Sequence, residues 1–202
     1  MKAAQSIDSK VLNRIYGWGR GKVFTPSRFL ELGSRDAVDK ALSRLAKKGT
    51  IRRLAVGVYD YPQSHPQLGL LLPSTDDIAT ALAKSSEIQL QPSGAYAANL
   101  LGLSEQVPMK VVYLTTGTPR RIQIGKREIT LKRTTPRQMM TAGRISGLVI
   151  QAFRHLGKTH VNSELLQKLR ARLSDDEKQQ LLSDLPHAPS WMAPHLRELS
   201  QS

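Results

Sequence analysis

Between Pro62 and Pro73 the chain carries three prolines and Gly69, and no helix can run through it. Each proline lacks an amide hydrogen and constrains the residue before it. A chain of 202 residues interrupted there divides most simply in two. The sequence predicts one domain over 1–61, a linker over 62–73 and a second domain over 74–202. Charge follows a similar partition. Residues 1–61 hold 13 basic and 5 acidic side chains, and residues 62–109 hold 1 and 4. Residues 110–158 hold 11 and 1, and residues 159–202 hold 5 and 6. Two basic blocks therefore flank a spacer of slightly negative charge. The net charge of +14 points to a polyanionic partner, nucleic acid before an anionic membrane surface. No apolar run reaches the roughly 18 to 20 residues that cross a bilayer, so no membrane role is expected. The absence of cysteine excludes disulfides, thiolate zinc sites and a Cys nucleophile. It fits a reducing compartment, and the expected location is cytoplasmic.

The first basic block reads as three helices and a hairpin. Ile7, Val11, Leu12 and Ile15 recur at helical spacing, and Gly17, Gly19 and Gly21 then break the pattern. A short helix opens at Thr25, whose hydroxyl can cap it, with Pro26 at its first position, and ends at Gly33. Ser34 caps a longer helix in which Val38, Ala41, Leu42 and Leu45 form one apolar stripe, closed by Lys47, Lys48 and Gly49. Residues 51–54 and 56–61 are β-branched, aromatic and basic around Gly57, which suits a hairpin. Helix, short helix, long helix with a polar basic face and basic hairpin is the order of a winged helix-turn-helix. In such a module the third helix enters the major groove and the hairpin lies along the phosphates. The candidate DNA-binding residues are Ser34, Arg35, Lys40, Ser43, Arg44, Lys47, Arg52 and Arg53. Arg35 and Lys40 suit base edges, since a guanidinium can meet both acceptors of guanine. Arg44, Lys47, Arg52 and Arg53 suit phosphates, which fix register without reading sequence. The plainer reading, an ordinary solvated helix face, gains some weight from Asp36 and Asp39.

The second domain reads as α+β and larger, ending in helices. A helix starts at Asp76 and Asp77 and runs through Leu82, residues 87–90 are strand-like, and Ser93 caps an alanine-rich helix to Leu101. Strands follow at 111–115, 121–124 and 128–131 with a turn at Gly125-Lys126. Helices come at about 144–156, 162–172, 175–183 and 189–200. Arg120, Arg121, Lys126, Arg127, Lys132, Arg133, Arg137 and Arg144 form a second positive surface if they share one side.

Several runs resemble the AbiEi antitoxins of type IV toxin-antitoxin systems. They are Phe24-Thr25-Pro26, Gly33-Ser34-Arg35-Asp36-Ala37-Val38, Ala41-Leu42-Ser43-Arg44-Leu45, Lys48-Gly49, Ile51-Arg52-Arg53-Leu54 and Gly57-Val58-Tyr59. Residues 92–104, beginning Pro92-Ser93-Gly94-Ala95-Tyr96, and Val112-Tyr113-Leu114-Thr115 extend the likeness over about residues 7–155. The resemblance implies an abortive-infection, phage-defence regulator that represses its own operon by binding promoter inverted repeats. It also implies counteraction of a nucleotidyltransferase toxin encoded beside it, without requiring direct contact. The alternative is an RNA-binding or protein-interaction module using the basic central segment.

Catalytic readings fail on spacing. Gly17-Trp18-Gly19-Arg20-Gly21-Lys22 lacks the four-residue gap of a phosphate loop, and Val23 stands where Ser or Thr is needed. Gly33-Ser34 is not followed by the carboxylate pair of a nucleotidyltransferase, and Asp36 with Asp39 has the wrong spacing for two metals. The five histidines form no ligand pattern. No enzyme activity, cofactor or metal is expected.

Overall fold

Ser6 accepts a hydrogen bond from the Ser9 amide at 3.2 Å and so opens α1, Ile7–Trp18. Val11 and Ile15, one helical turn apart, are wholly buried. The computed structural model describes residues 6–201. Gly19, with φ of 80°, ends α1 in the left-handed region open to glycine. The chain continues as β1, Val23–Phe24, and a 3-10 helix, Pro26–Leu32. The Thr25 hydroxyl was expected to cap that helix. It pairs instead with the Ser27 hydroxyl at 2.8 Å. Next comes α2, Arg35–Lys47, capped by the Ser34 hydroxyl, which accepts from the Ala37 amide at 3.4 Å. The Thr50 amide returns to the Leu45 carbonyl at 3.1 Å, which turns the chain back beside the end of α2. It then enters β2, Arg52–Ala55, and β3, Val58–Asp60. All pairings in this sheet are antiparallel, in the order β1-β3-β2.

The core beneath α2 is Phe24, Phe29, Val38, Ala41, Leu42, Leu45, Ile51 and Tyr59. Phe24 and Phe29 meet edge to face at 5.6 Å. Each large side chain here contributes on the order of 1.5–3 kcal/mol by leaving water.

The proline segment folds rather than serving as a linker. Gln63–His65, β4, pairs antiparallel with Gly69–Leu71, β5. Pro62 precedes the hairpin, Pro66 sits in its turn and Pro73 follows it, positions where a missing amide hydrogen is tolerated. Ser74 then caps α3, Thr75–Ser86, which packs against β1 and is longer than the stripe to Leu82 suggests. The chain accordingly divides into two compact units at Glu87/Ile88, later than the 62–73 expected from the prolines.

The second unit is α+β. Its four-stranded sheet contains β6, Gln91–Ser93; β7, Lys110–Thr115; β8, Arg120–Ile124; and β9, Arg127–Arg133. The order is β6-β7-β9-β8, with only the β7–β9 pair parallel. Residues 87–90 are not a strand; the strand begins at Gln91, where pairing to Leu114 starts. Ser93 belongs to that strand and donates its hydroxyl to Gln151 at 3.2 Å, so it does not cap α4, Ala95–Leu100. Gly94 takes the cap position instead, at φ of 62°. Then follow α5, Pro136–Met139; α6, Ile145–Leu156; α7, Ser163–Arg170; α8, Asp175–Ser183; and α9, Ala193–Leu199. Phe153, Leu181, Met192, Leu196 and Leu199, all wholly buried, join α6, α8 and α9 in one core. Among the described residues no helix is long and apolar enough to cross a membrane.

Candidate nucleic-acid interface

The site is built on α2. Its buried stripe, Val38, Ala41, Leu42 and Leu45, faces the core. Helical geometry then places Asp36, Lys40, Ser43 and Lys47 along the opposite line, at steps of four, three and four residues. Asp36, Lys40, Ser43 and Lys47 are all exposed, as are Ser34, Arg35, Arg44 and Lys48. This face carries an internal ion-pair pattern. Arg35 Nε donates to Asp39 at 2.9 Å, and Lys40 Nζ lies 2.8 Å from Asp36, each one helical turn away. Exposed pairs of this kind contribute only about 0.3–0.5 kcal/mol, so they restrain the two cations weakly.

Two other expected contacts are held more firmly. Arg44 donates from Nε and Nη2 to the two oxygens of Asp8, at 2.8 and 2.5 Å, and so clasps α2 to α1. Those hydrogen bonds hold the Asp8 carboxyl below the usual carboxylate range and raise the Arg44 guanidinium above its own. Arg52 turns inward. Its guanidinium donates to both oxygens of Asp60, from Nε at 3.0 Å, and its Nη2 also reaches the Leu71 carbonyl at 2.7 Å. Asp60 is fully buried, so the Arg52 guanidinium, expected to face phosphates, neutralises a core carboxylate. Arg53, the next residue, is exposed on β2. Lys47, Lys48 and Arg53 carry no ion pair among the described residues. Lys48 is the one cation of this group that the sequence reading did not include among its candidates. The signal was its position as the last basic residue before Gly49.

A family model of unknown function, DUF6088, matches residues 10–181. The chain belongs to this family. The DUF6088 match starts inside α1 and ends in α8, so it takes in both units and leaves α9 outside. No curated protein matches the chain.

The second basic set does not form the single surface considered from the DUF6088 chain's sequence. Six of its eight cations come in adjacent doublets, and neighbours within a strand point to opposite faces of the sheet. Register pairs Arg121 with Thr130, putting Lys132 on the same face, and pairs Arg120 with Leu131, putting Arg133 on the other. These four gather around an open depression beside edge strand β8. Lys126 and Arg127 lie at the far, hairpin-turn end, and Arg137 is exposed on α5. Arg144 leaves the set: it donates to buried Asp184 at 2.7 Å, while the Ser146 hydroxyl donates to the other oxygen of the same carboxylate.

Proposed function

We propose that the unit ending at Glu87 is a winged helix-turn-helix that binds duplex DNA, and that the chain is a cytoplasmic, promoter-binding antitoxin of the AbiEi kind. Its role is binding, not catalysis. The observation that carries the DNA reading is α2 itself, buried along one stripe and solvent-facing along the opposite one, with an antiparallel ribbon directly after it. The order α1, β1, 3-10 helix, α2, β2, β3 with β3 central in the sheet suits a recognition helix followed by a wing.

In this reading Arg35 and Lys40 exchange their carboxylates for base edges. A bidentate arginine–guanine contact contributes about 1–3 kcal/mol of discrimination, more than the surface pair it replaces. Asp36 and Asp39 are then available to accept from cytosine N4. Lys47, Lys48 and Arg53 serve phosphates. The antitoxin half rests on the resemblance of residues 24–59 and 92–115 to that family.

Fluorescence anisotropy with the duplex upstream of the gene, against a scrambled duplex of equal length, tests the first half. Tighter binding to the upstream duplex is expected, and equal affinity for both removes the specific repressor. Co-expression with the neighbouring reading frame tests the second half: the chain restores growth arrested by a nucleotidyltransferase encoded there.

A second reading, RNA binding through the central segment, draws on the gathering of Arg120, Arg121, Lys132 and Arg133. Competition between structured RNA and the upstream duplex separates the two.

A further inference from the structure

A cleft in the first unit, away from the exposed line of α2, has the composition of a small-ligand site. It is bounded by Trp18 at the end of α1, Lys22, Val23 and Phe24 around β1, Arg28 of the 3-10 helix, and Asp77, Thr80, Ala81 and Lys84 of α3. Its cavity volume is about 260 Å³. One wall is aromatic. The Trp18 and Phe24 rings stand 5.7 Å apart, and Trp18 is only partly covered while Phe24 is buried behind it. The Arg28 guanidinium lies 5.7 Å from the Trp18 ring centre, within cation–π range.

The charge of the cleft is more informative than its shape. Five cations of this unit, Arg14, Arg35, Lys40, Arg44 and Arg52, are each matched to a carboxylate. Of the cations of this unit that have no ion pair among the described residues, Lys22, Arg28 and Lys84 line one cleft. One carboxylate, Asp77, also lines it; it accepts from the Ser74 hydroxyl at 2.5 Å and keeps its charge. Three exposed cations with one carboxylate among them leave the cleft net positive, which suits an anion, and a flat ring fills the space against Trp18.

We infer that this cleft binds a planar aromatic anion, its ring against Trp18 and its carboxylate or phosphate among Lys22, Arg28 and Lys84. The inference does not depend on the DNA reading, since none of these residues belongs to α2. Ligand pockets of this kind combine apolar walls with a few convergent polar groups.

Isothermal titration of the full chain with adenosine monophosphate and, separately, salicylate tests it and distinguishes a phosphate from a carboxylate head. Adenosine and inorganic phosphate alone serve as controls. The expected result is saturable one-to-one binding of at least one of the two anions. Lys84→Ala weakens it at least tenfold, Ala81→Phe abolishes it by filling the cleft, and both variants retain the parent's circular dichroism. In a Trp191→Phe background, where Trp18 is the sole indole, binding shifts its emission. Three results would each overturn the site. Two are neither anion binding up to millimolar concentration, and affinity unchanged by Lys84→Ala. A third is displacement of the bound probe by duplex DNA together with weakened duplex binding in Lys84→Ala, which assigns the three cations to DNA phosphates.

Discussion

Arg52 and Arg53 are neighbours with opposite roles, and the alternation of a strand decides which is which. Arg52 closes over buried Asp60 and the Leu71 carbonyl, whereas Arg53 faces water. Removing Arg52 leaves a buried carboxylate uncompensated. Arg52→Ala is expected to cost about 3 kcal/mol of stability, read as a fall in the urea midpoint. Arg53→Ala and Lys47→Ala leave that midpoint unchanged. On the DNA reading, each is expected to weaken duplex binding alike for all sequences and to lower the salt slope by about 1, measured by anisotropy at several salt concentrations. Asp8 supplies a pH signature. Its carboxyl is held low by hydrogen bonds from Arg44, so its stabilising contribution is present above the ordinary carboxylate pKa and fades as pH falls through the lower folded value. Asp8→Asn therefore melts lower than the parent at neutral pH, by less than about 1 kcal/mol for a surface pair, and the two converge in strong acid. Neither Asp8 nor Asp60 was legible as a partner: each meets its arginine 36 or 8 residues away, a distance no local pattern encodes.

At the scale of elements, legibility followed the strength of the local signal. The α2 helix was readable to within a residue because its cap, stripe and closing lysines agree, and α6 was similarly plain. Ser34→Ala is expected to cost about 1 kcal/mol, seen in thermal melts, since the hydroxyl answers one of the helix's free amides. Ser93 looked like the same signal and was not, because pairing of Gln91–Ser93 with β7 claims the residue for a strand. Proline likewise reported truly that no helix crosses 62–73 but was silent on whether a hairpin does. Tight packing escaped the sequence as well. A Cβ on Gly147 of α6 would stand 2.2 Å from the Thr141 carbonyl oxygen and 2.5 Å from Gln91 Oε1. Gly147→Ala must push backbone aside, with an expected loss of about 1–3 kcal/mol measured by chemical denaturation.

For the whole molecule, the sequence placed two basic blocks correctly in the chain but overstated how many of their charges are available. Of the second block, Arg120, Arg121, Lys132 and Arg133 share one depression, Lys126 and Arg127 lie at the far end of the hairpin, and Arg144 is held by Asp184. The division at Glu87/Ile88 was equally hidden, since it depends on α3 packing against β1. On the DNA reading, the groups of the first unit able to meet phosphates or bases are Lys47, Lys48 and Arg53, with Arg35 and Lys40 once their weak pairs open. Five such groups correspond to a slope of log affinity against log salt of about −3 to −5 per chain.

The carboxylate clasps on Arg14, Arg44 and Arg52 thus act as internal counterions. On the DNA reading these three arginines displace no ions, so the salt dependence is expected to be shallower than the formal charge of +14 alone suggests.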